Sequence, residues 1–288
     1  MLKTNIDRLV RISVQGCVSP PTYWPQGRVG IDGRTFMLPN TGGITYNVRI
    51  GDPACGWAAD HVEPGVSTKN ANSSENTLYN ELACIGNEMQ VLSGDAKGAR
   101  GLVTGTHGGI EHVIGWFSPT ALEQLAVGDV IQIRAFGKGL CLTDYPDVRF
   151  LSIDPGLLDK LSVEEKDGRL LVPAAKRIPA RLMGSGVGAT STDSGDCDVT
   201  LFDEKTVRDY DLDGLRLGDL VFIEDFDSSY GYSFVQGAAT VGVIAHTDSR
   251  LMGHGPGVTP LFTCKKPLLA PRVDPNANLA RYFEIDGR

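Results

Sequence analysis

All five histidines of the chain lie in or beside three glycine-rich stretches that also carry carboxylates. In residues 51–67, two prolines and three glycines work against regular structure, yet Asp60, His61 and Glu63 fall within four positions. The second stretch is Thr104-Gly105-Thr106-His107-Gly108-Gly109-Ile110-Glu111-His112-Val113, and the third joins His246-Thr247-Asp248 to Gly253-His254-Gly255-Pro256-Gly257. Imidazole mixed with carboxylate is a donor set for Zn, Mn or Fe, and a catalytic site leaves one position open to water. Asp60, His61, His107, His112, His246 and His254 are therefore the candidate metal ligands, with Asp248 beside them. A bound divalent ion lowers the pKa of its water toward about 7. Glu63 and Glu111 are the candidate catalytic groups that would move the proton.

Other readings compete. A single loop histidine more often hydrogen-bonds its surroundings than binds a metal, so a metal-free polar pocket and purely structural roles stay open. His107 and His112 are not a zincin pair, because Gly108 and Gly109 work against helical presentation. Cys55 beside His61 could act as a nucleophile, although a buried thiol is the simpler reading. Met183-Gly184-Ser185-Gly186 lacks the helix that a nucleophile elbow or a phosphate loop requires. Its glycines and hydroxyls could instead form an anion-binding nest or a surface loop. Dinucleotide and Walker patterns are absent.

Such loops do chemistry only when a rigid scaffold holds them together, and the scaffold reads as β. With 35 glycines in 288 residues and no repeat period, the chain must turn often between short strands. Strands are expected at residues 9–18, 44–50, 130–136 and 237–245, and Asp32-Gly33 reads as a hairpin turn. Short helices are expected at residues 74–82, 119–125 and 157–161, the second opened by Ser118-Pro119. Gly94-Asp95-Ala96-Lys97-Gly98 between two strands resembles the KOW element of small SH3-like barrels, with a plain barrel hairpin as the bland alternative. Leu122-x-x-Leu125-x-Val127-Gly128-Asp129-Val130-Ile131-x-Ile133 recurs as Leu212-x-x-Leu215-x-Leu217-Gly218-Asp219-Leu220-Val221-x-Ile223. The expected fold is mainly β, with two related β-barrel-like halves and short helices. Residues 1–160 carry the first two histidine loops, and residues 161–288 carry the third. The Pro- and Asn-rich tail is expected to wrap the other half or a neighbouring subunit.

Composition bounds the partners. A net charge of −8 argues against broad nucleic-acid binding, which needs clustered Lys and Arg. Six scattered cysteines without a C-x-x-C pair, and no apolar leader or membrane-length run, point to a cytoplasmic protein with reduced thiols.

The motifs Asp60-His61-Val62-Glu63-Pro64-Gly65-Val66-Ser67, Thr106-His107-Gly108-Gly109-x-Glu111-His112-Val113 and Gly253-His254-Gly255-Pro256-Gly257-Val258-Thr259 resemble the bacterial and archaeal family known as domain of unknown function 4438. Ile178-Pro179-Ala180-x-Leu182-Met183-Gly184-Ser185-Gly186 extends the resemblance to most of the chain. It implies an N-terminal and a C-terminal part, and it implies no reaction. A fainter similarity to the acetamidase/formamidase family is one of fold-level analogy. The function expected is metal-dependent hydrolysis, or a lyase or isomerase step, on a small polar metabolite. The alternative is a non-catalytic metabolite-binding protein or a component of a homo-oligomer.

Overall fold

The computed structural model describes residues 2–22 and 28–285. Six strands in the first half close on one another: β1 (Ile12–Val18), β2 (Gly65–Lys69), β3 (Glu88–Val91), β4 (Arg100–His107), β5 (His112–Phe117) and β6 (Val130–Ala135). Their spatial order is β1-β6-β3-β4-β5-β2, and β2 returns to β1 through Cys17↔Lys69 and Val18↔Thr68. Closure satisfies the edge backbone groups that an open sheet would leave unpaired. Period-2 alternation decides which side faces in. Met89 pairs with Ile133 and Val91 with Ile131, all four wholly buried. Gln90 and Gln132, paired between them, are only half-buried.

Another sheet combines β7 (Arg149–Phe150), from the end of the first half, with five strands of the second: β8 (Lys176–Pro179), β9 (Cys197–Asp198), β10 (Leu220–Asp227), β11 (Ser233–Ile244) and β12 (Gly257–Cys264). Its order is β7-β12-β11-β10-β8, and β9 pairs with the N-terminal end of β12. β12 is buried along its whole length, which explains a run of apolar and threonine residues without polar alternation. Strand makes up 37% of the chain and helix 15%, so the mainly β reading holds. The helices are short, and Ser118 accepts at the start of Pro119–Gln124 as its sequence indicates; Asn72 caps Ser73–Leu82 and Asp154 caps Pro155–Lys160 in the same way. No helix among the described residues is long and apolar enough to cross a membrane.

The repeated motif folds the same way twice. Asp129 accepts from the Ala126 amide at 2.8 Å and Asp219 from the Arg216 amide at 2.8 Å, with Gly128 and Gly218 both at positive φ. The Gly94–Gly98 turn is a hairpin between β3 and β4 of the barrel. Three local expectations change. Only Ile44–Thr45 of residues 44–50 is strand; Val48 and Ile50 are buried, and the Gly51 and Ala54 amides bond to the Leu217 and Leu215 carbonyls instead of continuing the ladder. The hairpin at Asp32-Gly33 closes through a five-residue turn, since Val29 pairs with Thr35. The glycines after Met183 form neither a nest nor a loose loop, because the Gly184 and Ser185 amides bond to the Asp198 and Gly253 carbonyls. The tail pairs first within its own half, Leu269–Val273 running parallel to Arg169–Ala174, and then reaches the other half, where a Cβ on Gly86 would lie 3.4 Å from the Phe283 ring.

The two halves meet where β4 crosses β12. The Thr106 amide donates to Thr259 Oγ1 at 3.0 Å, and that hydroxyl donates back to the Thr106 carbonyl at 3.0 Å. Gly108 and Gly195 allow still closer approach; a Cβ on Gly195 would lie 3.0 Å from the Gly108 Cα. Thr259→Val keeps the volume and strands both buried backbone groups. We expect it to lower unfolding free energy by about 1–3 kcal/mol, read as a lower urea midpoint with an unchanged slope.

Candidate metal centre

The loop after β2's partner strand is clamped across the junction before it presents any side chain. The Asp60 amide bonds to the Pro39 carbonyl and the His61 amide to the Asp248 carbonyl. Val62 exchanges bonds with Thr247 through the threonine hydroxyl and amide. This clamp holds His61 at φ 56°, a conformation that costs a non-glycine residue on the order of 1 kcal/mol. His107 and His112 face each other as the last pair of the β4–β5 ladder. His246 follows β11, and Gly253-His254 precedes β12.

Three histidines share one arrangement. His61 Nδ1 meets Asp60 Oδ2 at 2.9 Å, His107 Nδ1 meets Glu63 Oε1 at 2.6 Å, and His246 Nδ1 meets the Thr247 carbonyl at 2.8 Å. An acceptor at Nδ1 fixes the proton there and leaves Nε2 as a lone-pair donor. His254 instead turns Nδ1 inward, 3.0 Å from His61 Nε2. Into the same space come two aspartates from the β9 segment. Asp196 and Asp198 are two residues apart, on one face of the chain, while buried Cys197 points the other way. The Gly108 amide donates to Asp196 Oδ1 at 2.8 Å, which leaves Oδ2 for the centre.

Two groups of donors result: His61, Asp198 and His254, and His107, Asp196 and His246. Asp196 Oδ2 and His246 Nε2 lie 2.8 Å apart, yet both are buried without a hydrogen bond of acceptable geometry. A buried acid–imidazole pair whose facing atoms have no other partner fits a shared ligand such as a metal ion. No side chain could occupy that point from β12. A Cβ on Gly257 would sit 2.1 Å from each of these atoms.

The electrostatics favour positive charge here. Burial pushes the His246 pKa down, but Asp196 and Asp198 outweigh it and raise it to about 9. Burial pushes Asp60 up, and hydrogen bonds from His61, the Arg250 amide and Ser249 bring it down to about 2. Burial likewise opposes the ionisation of Glu63 and Asp198, and their histidine partners hold both well below the usual carboxylate range. The centre forms one wall of a cavity of about 470 Å³, whose other lining includes Arg28, Asn40, Ser185, Ser191, Ser194 and Tyr232. A second cavity of about 410 Å³, lined by Val48, Ile50, Trp116, Phe117 and Leu122, holds neither donor group.

The candidate residues read from sequence therefore separate. His61, His107, His246 and His254 converge. Asp60 lies behind His61 and does not itself belong to a donor group. Glu63 is wholly enclosed, accepting from His107, His112, Ser67 and the Gly42 amide, and does not line the cavity. His112 bonds to Glu63 and to Ser19 Oγ at 3.1 Å, away from both donor groups. Glu111 does line the cavity, at φ 53°, with its carbonyl held by Asn76 and Asn80. Asp248 accepts from the Gly56 amide at 3.4 Å, outside both groups. Asp196 and Asp198 are the residues that histidine spacing misses; the Asp-Cys-Asp alternation was their one signal.

Family models for the N-terminal and C-terminal parts of domain of unknown function 4438 match residues 27–159 and 160–283. The chain belongs to this DUF4438 family. A solved structure described as the crystal structure of TM1086 is similar over 98% of this chain and 99% of its own, with 46% identity and a TM-score of 0.93. No curated protein matches. In this DUF4438 chain each donor group takes one histidine from the N-terminal part and an aspartate plus a histidine from the C-terminal part.

Cys55 belongs to neither donor group and does not line the cavity. Burial, then Asp248 and Asp213, push its thiol up to about 12, so the sulfur keeps its proton until the pH approaches that value. Peptide-resolved iodoacetamide labelling at pH 8 is expected to be much slower at Cys55 in the native protein than in the denatured one.

Proposed function

We propose that this protein is a metal-dependent hydrolase, or a related lyase or isomerase, acting on a small polar metabolite. The observation that carries the reading is the convergence of four histidines and two aspartates in two donor groups beside a cavity, His246 behind its wall and the other five on it, with Asp196 Oδ2 and His246 Nε2 buried against each other and without another partner. Mixed imidazole and carboxylate donors suit Zn, Mn or Fe. Such an ion would polarise a carbonyl and supply an activated water. The chain's own residues do the rest. Asp60 and Glu63 hold His61 and His107 in the ligating tautomer and direction. Glu111, at the cavity lining, is placed to carry a proton between the reacting water and solvent. The serines, Asn40 and Arg28 along the cavity suit a polar substrate. Six unpaired cysteines support a cytoplasmic location.

Protein purified without chelator is expected to contain stoichiometric Zn, Mn or Fe by elemental analysis, and EDTA is expected to lower its melting temperature. Metal-free protein whose melting ignores both EDTA and added divalent ions would refute the reading. Asp60→Asn removes the acceptor that directs His61 and should weaken metal binding about 10- to 100-fold, measured by competition with a chromogenic chelator. Glu111→Gln should leave metal content unchanged and lower turnover by about 10²-fold or more, on whichever member of an amide, ester and lactone panel the wild type hydrolyses. Equal turnover in the two would remove Glu111 from the chemistry.

A further inference from the structure

We infer that the centre holds two divalent ions, one in each donor group, with the Asp198 carboxylate bridging them. This rests on the reading of the site as a metal centre and specifies its nuclearity and its bridge. In the first group, His61 Nε2, His254 Nδ1 and Asp198 Oδ2 form a triangle with sides of 3.0, 3.2 and 3.7 Å. Ligands about 2.0–2.2 Å from one ion stand roughly 3–3.5 Å apart, so this triangle is close to one face of a coordination shell. In the second group, His246 Nε2 and Asp196 Oδ2 are 2.8 Å apart, and the His107 ring lies 4.1 Å from the His246 ring, centre to centre. The six donors fall into two separate sets.

Asp198 touches both. Its Oδ2 belongs to the first triangle, while its Oδ1 lies 3.6 Å from His246 Nε2 in the second. The rings of His61 and His246, one from each group, are 5.3 Å apart, centre to centre. A carboxylate with one oxygen toward each of two adjacent donor sets is the arrangement that links ions about 3.5–4 Å apart in two-metal sites.

Charge balance points the same way. Asp60, Glu63, Asp196 and Asp198 bring four carboxylates into one buried cluster. Four buried carboxylates this close together favour cations at the centre, and each divalent ion offsets two of their charges. The two positions also differ in access. His107, Asp196 and His246 are buried, whereas the His254 side chain is 32% exposed. The second group therefore holds the slowly exchanging ion, and the first holds the ion that meets solvent and substrate.

The test uses the full chain, stripped with chelator and titrated with Mn²⁺ or Zn²⁺, with stoichiometry read by native mass spectrometry and elemental analysis. Two equivalents per chain are expected, the second released first on dilution into chelator. The Mn²⁺-loaded protein should give an exchange-coupled paramagnetic resonance spectrum. His254→Ala, at a half-exposed position, should bind one equivalent and show an isolated Mn²⁺ signal, and Asp198→Asn should weaken both equivalents. One equivalent in the wild type with an isolated Mn²⁺ signal would overturn the two-ion assignment and leave the metal-hydrolase reading standing. Full affinity for two ions in Asp198→Asn, with its circular dichroism unchanged, would overturn the bridge. No binding at all would overturn both readings together.

Discussion

The junction of the two halves is the constraint on which the site depends. Neither half contains a complete set of donors. The barrel supplies His61 and His107; the second sheet and its loops supply Asp196, Asp198, His246 and His254. What brings them together is a backbone contact, the reciprocal hydrogen bonds of Thr106 and Thr259, flanked by glycines that let β4 and the β9 segment approach within van der Waals distance. Buried bonds of this kind exact their cost only when half-broken, so the halves dock in register or not at all.

A second requirement follows from burying charge. Four carboxylates and several imidazoles sit within a few ångströms of each other, almost wholly removed from water. Isolated, each would be expensive; together they are organised in two layers. Asp60 and Glu63 form the outer layer and have all their obvious partners: histidine Nδ1 atoms, backbone amides and hydroxyls. In the inner layer Asp196 Oδ2 and His246 Nε2 face each other at 2.8 Å and have no other partner. A polar cluster that is satisfied on the outside and unsatisfied at its centre is poised to receive a ligand, and the acidic surplus makes that ligand cationic. The left-handed backbone of His61 and the absence of a side chain at Gly257 are local consequences of leaving that space open.

Much of the scaffold was legible in the chain. The strands flanking the Gly94–Gly98 turn and at Val130, the Ser118 cap of the second short helix, and the twice-used Gly-Asp turn are local signals, set by period and by backbone preference, and each appears where expected. The same local logic failed past Thr45, where the ladder with Val66 and Gly65 ends and the chain turns to bond the Leu217 and Leu215 carbonyls through the Gly51 and Ala54 amides.

The histidine loops were likewise visible as places of chemical interest, since five imidazoles among glycines and carboxylates are a matter of composition. Which of them could share a ligand was not. His112 looks as good a ligand as His107 in sequence, but the two stand opposite each other on a ladder with Glu63 between them, and only His107 reaches the cavity. Asp196 and Asp198 carry no histidine beside them and read as part of a polar loop; the pairing of β9 with β12 turns both toward the centre. By itself the sequence determined residue types, periods and turns, because these act over a few positions. The tertiary structure alone decided the donor set, because a ligand atom's direction depends on strands and loops more than eighty residues apart that meet only when the halves close.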